Sequence, residues 1–70
     1  MSKTVTDEYL MGIRDGREYL KRYQPNEVMM RDILANIRET LKGFSSGPVA
    51  EHLRGERDFW IGQIRKFENV

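Results

Sequence analysis

The side chains best suited to acid–base or metal chemistry in this chain are one histidine and the carboxylates beside it. His52 is the only histidine and there is no cysteine, so the usual zinc-ligand spacings do not occur. Glu51 and Glu56 flank His52, a set that binds a cation only weakly. The sequence contains no glycine-rich phosphate loop. We therefore predict a solvated His52, no catalytic, cofactor or metal residues, and no enzyme activity.

Basic side chains are the second chemical feature, because lysine and arginine bind phosphate. They form one group on a first predicted helix and another on the third: Arg14, Arg17, Lys21, Arg54 and Arg57. Carboxylates are interleaved with both groups, where they repel phosphate or pair with the basic residues at helical spacing. The formal net charge is only +1, so the overall charge favours neither a dedicated nucleic-acid binder nor an acidic mimic of DNA. We predict a salt-bridged, solvated surface and keep nucleic-acid binding through these five residues as the alternative.

Four glycines lie inside the predicted helices, where each costs about 1 kcal/mol relative to alanine. Gly12 and Gly16 lie on or next to the apolar stripe of the first helix, where a missing side chain allows another helix to approach closely. Gly55 and Gly62 flank Phe59 on the third helix, away from its main apolar stripe. This flank has two equally favoured interpretations: it docks a second copy of the chain, or the first helix of the same chain covers it. The predicted interface residues are Gly12, Gly16, Tyr19, His52, Gly55, Phe59 and Gly62.

Three helices must position these side chains, because turn residues at positions 24–26 and 43–48 divide the chain into three lengths. We predict helices over residues 6–23, 25–42 and 48–67 within one domain, 1–70. Thr6 should cap the first helix. Pro25 should be the first residue of the second helix, and Gly43 should adopt the left-handed conformation after its end.

Each predicted helix carries one apolar stripe at steps of three and four residues. The first stripe comprises Tyr9, Ile13, Gly16, Leu20 and Tyr23. The second comprises Met30, Ile33, Leu34, Ile37 and Leu41. The third comprises Val49, Leu53, Trp60, Ile64 and Phe67. No segment alternates apolar and polar residues over the length of a strand, so the predicted fold class is all-α, a three-helix mini-domain.

The chain is short for an independently stable fold, because a domain of this size buries only about 60% of the surface its unfolded form exposes. Disulfides and cysteine-based metal sites are excluded by composition, which leaves self-association as the expected supplement. We therefore predict a homodimeric helical bundle. The sequence has no long apolar run and no export signal, and its lack of cysteine is typical of a reducing compartment. We expect a cytoplasmic protein that does not enter the membrane.

Three segments resemble small bacteriophage and prophage proteins of uncharacterised function. They are residues 53–60 (LRGERDFW), residues 7–13 (DEYLMGI) and residues 15–17 (DGR). The resemblance implies a bacterial cytoplasm and an accessory role in a phage or prophage region, and it carries no active site across. We also expect an unidentified host or phage protein as a further partner. The leading prediction is thus a helical protein–protein interaction factor that pairs with itself.

Overall fold

The computed structural model describes residues 5–68, which form three α-helices and no strand. They are α1 (Asp7–Tyr23), α2 (Glu27–Gly43) and α3 (Pro48–Glu68). The predicted all-α, three-helix fold is confirmed, and the predicted helix bounds lie within two residues of these. Residues 1–4 and 69–70 lie outside the described part of the chain. The prediction that no export signal is present and the bounds of the predicted domain concern these residues and therefore stay predictions.

Side-chain caps begin the first two helices. The Thr6 hydroxyl accepts a hydrogen bond from the Tyr9 N–H at 3.1 Å, as predicted, and the Asn26 side-chain oxygen accepts one from the Met29 N–H at 2.9 Å. A cap of this kind stabilises a helix by about 1 kcal/mol. Because Asn26 is the cap, Pro25 precedes α2, and the prediction that it is the first helical residue is wrong.

The helix ends differ from the prediction at Gly43. It is the last residue of α2 rather than a left-handed residue beyond it, and Phe44 follows as the cap with φ −130°. The positive φ in this connection belongs to Gly47, at 96°, directly before Pro48 opens α3. The chain reverses there because glycine adopts this conformation without a Cβ clash. Gln24 ends α1 in the left-handed region and donates its N–H to the Leu20 carbonyl at 2.9 Å.

α3 is the central element, because α1 and α2 each pack against it and not against each other within residues 5–68. α1 runs parallel to α3: Gly16 meets Phe59, and Tyr19, further along α1, meets Trp60. α2 runs antiparallel to α3, since Arg31 near its start pairs with Glu68 at the end of α3. The end of α1, the start of α2 and the end of α3 therefore lie at the same end of the molecule.

The core forms mainly between α2 and α3. Its largest fully buried side chain is Trp60, which is 2% exposed, and the other members of the cluster are Met30, Leu34, Ile37 and Ile64. The predicted stripe of α2 is confirmed, as all five of its residues are buried or half-buried. The α3 stripe is wrong at Val49 and Phe67, which are exposed because they lie in the first and last turns, at the rim of the packed region. In α1, Tyr23 is likewise exposed.

Candidate functional site

Two glycines bring the backbones of α1 and α3 into direct contact. A Cβ placed on Gly12 would lie 2.0 Å from the carbonyl oxygen of His52, and one on Gly55 would lie 2.1 Å from the carbonyl oxygen of Tyr9. Ordinary van der Waals contact begins at 3.4 Å. Any side chain at either position would therefore force the helices apart. The predicted packing role of Gly12 is confirmed, and the contact fixes which residues of the two helices face each other.

Phe59 packs against Gly16 in the same chain. A Cβ on Gly16 would lie 2.7 Å from the Phe59 ring, and Phe59 is only half-exposed. Of the two interpretations of this flank, coverage by the first helix is the one that the structure confirms. The other interpretation, that a second copy docks on this flank, is wrong for Gly55 and Phe59, because α1 lies over both. Gly62 is exposed, with no atom within 4 Å of a Cβ built on it.

The glycine contact brings three titratable side chains together beside it. His52 Nε2 lies 3.0 Å from Asp15 Oδ2 and 3.4 Å from Glu56 Oε2. The side chains of His52 and Glu56 are about three-quarters covered, at 27% and 25% exposure, whereas that of Asp15 is 46% exposed. We call Asp15, His52 and Glu56 the histidine cluster. His52 was predicted to be a solvated helix residue, but α1 lies against it and leaves only part of its side chain exposed.

Burial raises the pKa of Glu56, and the neighbouring charge of Asp15 raises it further, while His52 acts in the opposite direction. The histidine cluster thus holds two carboxylates close enough to repel each other. Sequence reasoning placed Glu51 and Glu56 beside His52 but missed Asp15, which is 37 positions earlier. Glu51 instead pairs with Arg54 at 2.6 Å. The available signal was the position of Asp15 one helical turn after Gly12, on the side of α1 that faces its neighbour.

A second polar network crosses the α1–α3 contact on its other side. The Tyr9 hydroxyl donates a hydrogen bond to Asp58 Oδ2 at 2.5 Å, and Arg57 Nε donates to Asp58 Oδ1 at 2.9 Å. Partial burial favours a higher pKa for Asp58, but the hydrogen bonds from Tyr9 and Arg57 together outweigh it and lower the Asp58 pKa. The hydrogen bond to Asp58, together with burial, raises the pKa of Tyr9. Tyr9 and Asp58 also line a depression of about 560 Å³ between α1 and α3.

The five basic residues of the nucleic-acid alternative fall into two groups. Arg54 pairs with Glu51 and also donates to the Ser45 carbonyl, and Arg57 is held by Asp58. Arg14, Arg17 and Lys21 are exposed and lie roughly opposite Gly12 on α1, facing away from α3. Within residues 5–68 these three form no ion pair. The structure does not bring the two groups together into one surface.

No protein-family model, curated protein or solved structure matches this chain.

Large apolar side chains are exposed at the end of the molecule where α1 ends, α2 begins and α3 ends. Within residues 5–68, ten large hydrophobic residues are strongly exposed; five lie toward the opposite end, and the five that lie here we call the apolar end: Tyr19, Tyr23, Val28, Met29 and Phe67. Tyr23 and Val28 are 58% and 68% exposed. Of the interface residues that the sequence predicted, only Tyr19 belongs to this surface. No helix within residues 5–68 combines the length and apolar character needed to cross a membrane.

The two tyrosines of the apolar end pack against each other, and Tyr19 also packs against Trp60 of the core. The Tyr19 and Tyr23 rings lie 4.6 Å apart between centroids, and the Tyr19 ring meets the edge of Trp60 at 5.8 Å and 86°. Phe59 meets Trp60 in turn at 5.1 Å. Aromatic pairs of this geometry contribute about 0.5–1.5 kcal/mol each beyond the area they bury. The exposed Tyr23 ring is therefore joined to the buried Trp60 through a continuous series of ring contacts.

Proposed function

We propose that this protein is a helical protein–protein interaction factor that forms a homodimer through the apolar end. One observation carries the proposal: at this end of the described residues 5–68, five large hydrophobic side chains are strongly exposed, and two of them are tyrosines whose rings pack in series onto the buried Trp60. Burying them against a second copy would add apolar area to a core that is small for an independent fold. The glycine-flanked surface predicted from the sequence has no part in this proposal, because α1 occupies it.

The residue types at the apolar end support binding rather than mere exposure. Tyrosine and methionine are enriched in protein interfaces, and tyrosine is a frequent energetic hot spot. Tyr19 and Tyr23 lose little conformational freedom on binding, because Trp60 and their mutual contact already restrict their rings. An accessory role in a bacterial cytoplasm, of phage or prophage origin, remains part of the proposal and rests on the sequence resemblance. A host or phage protein is the further partner that such a role implies.

Multi-angle light scattering of the purified protein tests the proposal. The eluting species should have about twice the 8.3 kDa mass of the chain. Tyr23→Asp and Val28→Asp should each shift the mass to that of one chain, since a buried, unpaired carboxylate opposes association. Leu10→Asp is the matched control, because Leu10 is 52% exposed on α1 but lies outside the apolar end. A wild-type mass of one chain at millimolar concentration refutes the homodimer.

The second candidate is nucleic-acid binding through the outer face of α1. It is favoured by one observation, namely that Arg14, Arg17 and Lys21 are exposed and free of ion pairs within residues 5–68. Three phosphate contacts would give a slope of about −2.7 for log affinity against log salt on duplex DNA. A gel-shift titration at several salt concentrations measures this slope. Arg17→Ala should weaken binding while Lys42→Ala, which removes a lysine paired with Glu39, should not. Absence of binding at low salt removes this candidate.

A further inference from the structure

The histidine cluster presents three ligand atoms from two helices to one point. His52 Nε2 lies 3.0 Å from the Asp15 oxygen and 3.4 Å from the Glu56 oxygen, and all three ligand atoms lie within 4.8 Å of one another. Adjacent ligands of a tetrahedral zinc ion, with bonds of about 2.0–2.2 Å, are separated by roughly 3.3–3.6 Å. The two separations from His52 Nε2 are therefore close to the edges of a zinc coordination polyhedron, and a small adjustment of the two carboxylates would complete the third edge.

Hydrogen bonding alone does not satisfy this arrangement. Asp15 and Glu56 both approach Nε2, and that nitrogen carries at most one hydrogen. Its single N–H can therefore donate a full hydrogen bond to only one of the two carboxylate oxygens. Within residues 5–68, no lysine or arginine pairs with either carboxylate. A divalent cation at the centre would contact all three ligand atoms and balance both negative charges.

We propose that Asp15, His52 and Glu56 bind one Zn²⁺ ion that joins α1 to α3. One imidazole nitrogen and two carboxylate oxygens are a ligand set that zinc accepts, and water would complete the coordination. His52 and Glu56 are four residues apart on α3 and so share one face of that helix. Gly12 allows α1 close enough for Asp15 to reach them. The half-exposed Asp15 side provides the route by which the ion enters.

Zinc at this position would cross-link two helices, as a disulfide cross-links two segments in other small domains. It would link two helices that otherwise meet through side-chain packing, ring contacts and hydrogen bonds, and its binding free energy would add to the stability of the fold. The site is independent of the apolar end, which lies on other residues. Zinc binding and dimerisation can therefore succeed or fail separately.

Isothermal titration of ZnCl₂ into chelator-treated full-length protein at pH 7, in a non-coordinating buffer, tests the site. We expect one zinc per chain, and a melting temperature that rises by about 5–10 °C for each tenfold increase in free zinc above Kd. Co²⁺ used as a spectroscopic probe should give the visible absorption of a four-coordinate ion. Asp15→Asn should weaken zinc binding tenfold or more, and His52→Ala should abolish it.

Glu18→Gln is the matched control, because it removes one carboxylate from the exposed face of α1, one turn from Asp15, without touching His52. It should leave zinc affinity and the Co²⁺ spectrum unchanged. Circular dichroism establishes that the Asp15→Asn variant is folded, and Asp15 is exposed enough for the substitution to be tolerated. The highest zinc concentration used is 0.1 mM, about tenfold above a Kd of 10 µM. No heat of binding and no thermal shift at that concentration would overturn the proposal. So would zinc binding that is equally strong in the Asp15→Asn and His52→Ala variants.

Discussion

Substituting Gly12 with alanine should destabilise the protein even though alanine is the better helix former. In an exposed helix interior the change gains about 1 kcal/mol. Here the new methyl carbon would lie 2.0 Å from the His52 carbonyl oxygen and 3.0 Å from the Glu56 nitrogen. Both atoms belong to the backbone, so neither moves aside by a side-chain rotation. The helices must separate, which opens gaps along the whole α1–α3 contact.

Overpacking of this kind typically costs about 1–3 kcal/mol, and a clash with backbone falls at the upper end of that range. After the gain in helix propensity, Gly12→Ala should lower the free energy of unfolding by about 2 kcal/mol. For a domain of this size that corresponds to a fall in melting temperature of about 8–16 °C. Thermal and urea unfolding followed by circular dichroism measure both quantities.

Gly62→Ala is the matched control, because Gly62 lies inside α3 with open space around its Cα. It should raise the melting temperature by about 4–8 °C, the value expected from helix propensity alone. Combining Gly12→Ala with Gly55→Ala should cost less than the two single changes added, since one separation of the helices relieves both clashes. A Gly12→Ala variant at least as stable as wild type would refute the close α1–α3 contact.

Three further outcomes follow from the contacts described. Asn26→Ala should lose the α2 cap and lower the free energy of unfolding by about 1 kcal/mol, measured by urea denaturation; no loss would mean that the cap is not formed in solution. Stability contributed by Asp58 should be present above its unfolded pKa and lost as pH falls through its lowered folded pKa, whereas that of Tyr9 should be lost as pH rises through its raised one. Tyr9→Phe should flatten both limbs of a stability–pH profile, and an unchanged profile contradicts the hydrogen bond. Because burial raises the pKa of Glu56, metal-free Glu56→Gln should gain stability relative to wild type at pH 7 and lose that advantage as pH falls through the raised folded pKa to the unfolded pKa; a constant difference across that range argues against a penalty on the charged form.

The helices themselves could be predicted from local signals. Thr6 and the carboxylates that follow it mark the start of α1, and the apolar stripe of α2 sets its buried face. These signals act within one helix, so the sequence contains them directly. The errors at Pro25 and Gly43 concern single residues at helix ends, which local signals place only to within a few positions. Asn26 rather than Pro25 begins α2, and Gly47 rather than Gly43 has the positive φ.

Contacts between helices could be predicted only in part. Gly12 indicated a close approach, and Phe59 between two glycines indicated a covering partner, but nothing in the spacing determined whether that partner was α1 or another chain. The parallel packing of α1 along α3 shows that the partner covering Phe59 is α1. The same tertiary placement brings Asp15 to His52 across 37 positions of sequence, a distance at which helical periodicity carries no information.

The exposed apolar residues also depended on the arrangement of the helices. Tyr23 and Phe67 belong to regular apolar stripes, which predict a half-buried tyrosine and a buried phenylalanine. Both lie in the last turn of a helix, beyond the part that its neighbours cover. Their periodicity was therefore informative, since an apolar stripe that continues past the intramolecular core is the pattern expected of a surface that binds a partner.

Isotope-filtered nuclear Overhauser spectroscopy on an equal mixture of labelled and unlabelled chains tests the proposed pairing most directly, because it records only contacts between two copies. We predict intermolecular contacts from the aromatic protons of Tyr23 and the methyl groups of Val28 and Met29, with none from Leu10. A spectrum without intermolecular contacts, or with contacts confined to the outer face of α1, would contradict the account.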